Sequence, residues 1–292
     1  MAFGSLVFSF FRDGCGSKGL NHMLLPEVKM KDFKKYLKVW WLMVGGAIAL
    51  AFNSRIGAGM FLTGKVARFL LFFYFLYLLV SHTQTLAGYQ VNQIIFFFLT
   101  FNLIDVGAQC LFRGVYVFRS LVISGQFDFD LIKPIRPLFR ALAGRIDILD
   151  FMTLVPLLVL TIWLLPSVSG GSLVNSVVYW LLVVNGLVIA LAFHVFALAL
   201  GIVTLEIDHV VWIYRDLTSM GKIPVDVYKE PVRSLLTNII PVGIMMTIPA
   251  KSLMGLTSAG IIVFSFGVGL VSVWLSLKYW RYALTKYSSA SS

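Results

Sequence analysis

The apolar residues of this chain gather in long runs, not in the short alternations or narrow stripes of a soluble fold. Residues 61–80 end in the unbroken FLLFFYFLYLLV that starts at Phe69; residues 91–112 and 148–166 form two more runs. A fourth stays apolar from Leu173 to about Leu205, and a last one covers 256–277. At about 1.5 Å per helical residue, runs of this length suit the roughly 30 Å of hydrocarbon in a bilayer. Pro156 removes a backbone N–H within the third run and predicts a bend there. The fourth run exceeds one crossing, which predicts tilt or a helix that continues beyond the membrane.

Two stretches are less regular. Residues 27–38 read EVKMKDFKKYLK and precede a short apolar segment, Val39–Phe52. Together they predict a basic helix lying in the membrane interface with Trp40 and Trp41 at the boundary; a first spanning helix is the alternative. Residues 206–233 mix both signs of charge and lead into an apolar stretch, 234–250, that carries Pro241 and Pro249. That path is either a cytoplasmic loop with a short fifth span, or a fifth span followed by a broken, re-entrant pair. The pattern predicts an all-α integral membrane protein with six transmembrane helices and one membrane domain, 61–282. An N-terminal segment, 1–60, precedes it and a tail, 283–292, follows; no internal repeat divides it.

Composition agrees. Hydrophobic residues make up 59% of the 292 and charged residues 13%, about half the roughly 25% typical of soluble domains. Mean hydropathy is +0.89. A net charge of +11 would raise nucleic-acid binding in a soluble protein, but here the basic residues sit between apolar runs. Arg113, Arg119, Lys133, Arg136, Arg140 and Arg145 crowd the loop 113–147, whereas SHTQTLAGYQ and PSVSGGS carry no Lys or Arg. The positive-inside rule places that loop and both termini in the cytoplasm, with the protein in the cell's inner (plasma) membrane. Lys65 and Arg68, near the start of the first run, are expected to snorkel toward headgroups. Cys15 and Cys110 have no metal-ligand spacing, so no metal site is expected.

Candidate chemistry is sparse. The stretch Gly59–Val66, GMFLTGKV, nearly matches the phosphate-binding loop GxxxxGK[ST], but Val66 lacks the hydroxyl that holds magnesium and a membrane run follows. No ATP site, no other cofactor and no catalytic residue is expected in this chain. Four polar residues fall inside apolar runs: Asn102, Asp105, Asn185 and His194. They would either line a substrate path or proton relay, or simply hydrogen-bond between helices.

The basic loop is more informative. Residues 124–139 read SGQFDFDLIKPIRPLF, in which Gly125 permits a sharp turn and Pro134 and Pro137 stop a long helix. Its apolar residues either pack on the protein itself or form a docking knob for a soluble partner. At this point the sequence resembles the ABC-2 type permeases, in the six-span bacterial group whose inner loop reads G-x-x-D-x-x-L-x-[KR]-P-x-x-P-L. Here it stands as GQFDFDLIKPIRPL, 125–138. The resemblance continues through WIYRDLTSMGKIP (212–224), IIPVGIMMTIPAKSLMG (239–255) and the ending WRYALTKYSSASS.

The resemblance implies a permease of an ATP-driven exporter that pairs with a second permease, identical or related, and with two copies of a separate ATPase. ATP and magnesium would sit on that partner. It also implies a cytoplasmic coupling helix at about 120–140, with Phe127, Asp128, Asp130, Leu131, Lys133 and Pro134 as docking residues. Pro241 and Pro249 would break a re-entrant segment near the outer face. The competing reading is an ion-coupled carrier working alone, with Asp105 and His194 as ion sites.

Overall fold

The computed structural model describes residues 30–53, 55–204 and 207–288, so the chain before Met30 and Glu206 lie outside the described residues. The fold is all-α, as expected. The helices are α1 (Met30–Asn53), α2 (Arg55–Thr83), α3 (Val91–Phe112), α4 (Val115–Ile123), α5 (Gln126–Ile132), α6 (Pro137–Ala143), α7 (Ile148–Ser169), α8 (Leu173–Thr204) and α9 (Ile207–Ser219). A bent pair follows, α10 (Val232–Ile239) and α11 (Gly243–Leu253), and then α12 (Ala259–Lys286). Extended pairing among the described residues is limited to a bridge between Leu86 and Tyr89 in the α2–α3 turn.

Among the described residues, five helices are long and apolar enough to cross a membrane: α2, α3 with its continuation α4, α7, α8 and α12. They begin and end close to the apolar runs, although α2 starts earlier than residue 61 and α7 runs unbroken through Pro156 and Pro166 to Ser169. The protein is therefore multi-pass. α3 and α8 form its centre: 78% and 61% of their most apolar windows are buried, against 11% for α2 and 17% each for α7 and α12. The outer three thus present apolar faces to lipid or to another chain.

α8 and α12 pack side by side, and Gly269 allows the approach: a Cβ there would strike the Asn185 side chain. Asn185 Nδ2 in turn donates to the Ser265 carbonyl at 2.8 Å, tying the two helices inside the core.

The least legible path resolves from its contacts. At one end of the bundle Arg119 on α4 meets Asp208 at the start of α9. At the opposite end the Tyr89 hydroxyl, in the α2–α3 turn, donates to Asp226 Oδ2 at 2.9 Å. Residues 207–225 therefore traverse the bundle; the 13 residues of α9 alone rise roughly 20 Å. This is a sixth crossing, too polar to be found by hydropathy. α10 and α11 are bent by 79°, and both limbs return to the same carboxylate. Arg233 near the start of the pair lies 2.7 Å from Asp226 Oδ1, and Lys251 near its end lies 3.1 Å from Oδ2. The pair dips into the bundle and comes back. Of the two paths expected, the chain follows the fifth span with a broken, re-entrant pair.

Pro241 lies at the break between the limbs, and Pro249 starts the ordinary helical turns after the π-helical Gly243–Thr247. Around Asp226, burial alone would raise the carboxyl's affinity for protons. The bonds from Tyr89 and Lys251 and the charges of Lys251 and Arg233 outweigh it and hold the carboxyl below its ordinary value.

Candidate functional site

The loop between α3 and α7 folds as a module at the basic end of the bundle. Gly114 opens it: its N–H donates to the Leu142 carbonyl at 2.9 Å, and a Cβ there would overlap the backbone of Ala141 and Leu142. Gly125, at φ +70°, then turns the chain into α5. Along α5 the residues alternate between two environments. Phe127 is buried, ringed by Phe118 at 5.0 Å, Tyr287 at 5.2 Å and Trp280 at 6.5 Å. Asp130 is buried as well, with Oδ1 accepting from Lys133 Nζ at 2.8 Å and Arg140 Nε at 2.9 Å. Asp128 accepts from the Tyr287 hydroxyl at 2.7 Å. Burial and that carboxylate push the Tyr287 hydroxyl up to about 12, so it stays a neutral donor across the physiological range.

Phe129 and Ile132 face the other way and are 63% and 80% exposed. Lys133 and Pro134 are exposed beside them, and Leu131 is half-buried against the module's core. The expected docking residues therefore divide. Phe127 and Asp130 brace the helix from beneath, Asp128 fastens it to the end of α12, and Lys133 and Pro134 stand at the surface. Phe129 and Ile132, which the sequence reading left out of the docking set, form the exposed apolar crest. α1 also reaches this module: Tyr36 accepts from the Arg136 N–H at 3.2 Å and packs edge-on against Phe139, while Lys35 donates to the Pro134 carbonyl.

Beside the module an ion cluster joins three spans. Asp150 near the start of α7 is fully buried and pairs with Lys65 on α2 and with Arg113 after α3, 3.7 Å away. Arg113 also reaches Asp147 at 3.3 Å. Lys65 is thus turned into the bundle and not snorkelled toward headgroups. Gly59–Val66, the near-match to a phosphate loop, is helical throughout.

Above this cluster lies a cavity of about 450 Å³ between α2, α3, α7 and the α9 segment. Asn102 and Asp105 line it; Gln109 Nε2 donates to Asp105 Oδ2 at 2.8 Å. The other two intramembrane polar residues do not. Asn185 is spent on the α8–α12 contact. His194 Nδ1 bonds the Ala190 carbonyl at 2.7 Å, its ring packed between Phe112 and Tyr214. Arg215 and Lys222, from the mixed-charge stretch 206–233, also line the cavity.

A scan against protein families matches residues 66–291 to the ABC-2 family transporter protein. The chain belongs to the ABC-2 transporter family. Searches of curated proteins and of solved structures return no match. The family match covers the basic-end module, most of the cavity and the re-entrant pair, and this ABC-2 protein is a membrane transport subunit.

Proposed function

We propose that this chain is the permease of an ATP-driven exporter, working as a dimer and coupled through the loop helix α5 to two separate ATPase subunits that carry ATP and magnesium. ABC-2 permeases generally work with ATPase subunits, and α5 supplies what such a partner would grip. The observation that carries the reading is the two-sided build of α5. Phe127 and Asp130 lock the helix to α4, α6 and α12, so a push on it moves spans and is not absorbed by a flexible linker. Phe129 and Ile132 meanwhile offer an apolar anchor rimmed by Lys133, the arrangement that concentrates binding energy at a small contact. The basic end is then cytoplasmic, a reading that the density of Lys and Arg in its loop supports. The weakly buried faces of α2, α7 and α12 leave room for the second permease.

Affinity purification of the tagged protein from its native membranes in mild detergent tests this. The wild type should retain a stoichiometric ATPase, and F129A/I132A should lose at least tenfold of it, because two anchors worth roughly 1–2 kcal/mol each are removed from the surface. An eluate that shows no ATPase with the wild type, or the same amount with the variant, would reject the docking site.

A further inference from the structure

The cavity between α2, α3, α7 and the α9 segment has an unusual charge balance for a site within membrane spans. Arg68, Arg215 and Lys222 line it together with the paired Lys65, and Asp105 is the carboxylate among its walls. Lys65 is matched by Asp150, whereas Arg68, Arg215 and Lys222 have no carboxylate within ion-pair distance among the described residues. Three such cations therefore face one carboxylate. Arg68 is exposed at the rim, and Arg215 and Lys222 are partly buried: Lys222 Nζ lies 5.6 Å from the Phe72 ring, and the Arg215 guanidinium 5.7 Å from Trp212 and 5.8 Å from Tyr116. Cation–π contact of this kind is worth only about 0.5–2 kcal/mol, less than a charge loses when it is moved against hydrocarbon. An anion would complete the site.

The rest of the wall defines what carries that anion. Phe69, Phe72, Phe98 and Phe101 line the cavity with α7 residues opposite, and its volume falls within the roughly 300–1,000 Å³ of small-ligand pockets. Its rim is open on the outer side of the bundle: Val66, Leu70, Met152 and Leu160 all line it and are each 40% or more exposed on the outer faces of α2 and α7. A small hydrophilic anion would leave the phenyl wall unused, and a neutral lipid would leave the cations unpaired.

We propose that this cavity takes an anionic amphiphile directly from the bilayer, its acidic head among Arg68, Arg215 and Lys222 and its apolar chain along the phenylalanines. That the amphiphile is exported cargo rests on the permease reading above; that it binds does not.

Photolabelling of the full-length protein in phosphatidylcholine nanodiscs, without ATP or any ATPase, separates the two. Diazirine-bearing phosphatidic acid, diazirine-bearing fatty acid and diazirine-bearing phosphatidylcholine are compared, and adducts are mapped by mass spectrometry. At least one acidic probe should label peptides from α2, α3 and α7 that line the cavity well above phosphatidylcholine, and which acidic probe does so identifies the source. R68Q/K222Q should cut that labelling roughly tenfold, the loss of about one charge-assisted contact, while labelling of the exposed α12 face at Val263 and Val271 stays unchanged and reports an intact fold. Equal labelling by acidic and zwitterionic probes, or cavity labelling indifferent to R68Q/K222Q, would overturn the proposal and leave the permease reading standing.

Discussion

Asp150 shows how single residues carry information that hydropathy alone does not. Its carboxylate is fully buried and held between Lys65 and Arg113, so removing its charge leaves two cations facing each other in a poorly solvated place. Breaking a buried pair in this way costs roughly 3–5 kcal/mol. Asp150→Asn should therefore lower the thermal unfolding temperature of the purified protein clearly, and K65M/D150L should recover part of the loss. A melting curve unchanged by Asp150→Asn would mean that the cluster contributes little. The pairing was not legible in the chain because residues 65 and 150 belong to different apolar runs, and a run says nothing about its neighbours. A signal was present all the same: the first run held Lys65 and Arg68, and the third held Asp150, near the same end.

At the scale of elements, the apolar runs located α2, α3, α7, α8 and α12, since hydrocarbon thickness sets both their length and their composition. The segment 207–225 escaped that logic. Arg215 and Lys222 are tolerated there because they line a cavity, while Val211 and Tyr214 pack inward and Trp212 and Ile213 stay exposed. Its contacts with Arg119 at one end and Tyr89 at the other make a topological prediction. In a background without native cysteines, Lys229→Cys and Arg145→Cys, both exposed positions, should react with a membrane-impermeant maleimide from opposite sides. Reaction of both from one side would remove the sixth crossing and with it the re-entrant reading of α10 and α11. The loop helix α5 was legible as an element, from Gly125 and the two prolines. Which of its faces turns outward was not, because in the run Phe127 to Ile132 both faces carry an apolar side chain next to an acid or another apolar one, and only packing against Phe118 and Trp280 decides.

In the whole molecule three parts adjoin: the braced loop helix at the basic end, the ion cluster that binds α2, α3 and α7 beside it, and the cavity those same helices help enclose. In the proposed permease, a force delivered to α5 would pass through Phe127 to Phe118 and Trp280, and through the module to Arg113 and Asp150 at the walls of the cavity. Transport by alternating access needs such a connection between the place where energy enters and the place where cargo sits. On the function proposed above, its starting point would be the contact between α5 and a soluble ATPase. The most direct measurement places a photo-crosslinking amino acid at Ile132, the most exposed apolar residue of α5 at 80%, in living cells, with a second variant carrying it at buried Phe127. The account predicts a crosslinked adduct with an ATPase that contains a phosphate-binding loop at Ile132, and none at Phe127. Adducts at Ile132 with lipid alone, or with a second copy of this chain and no ATPase, would contradict it.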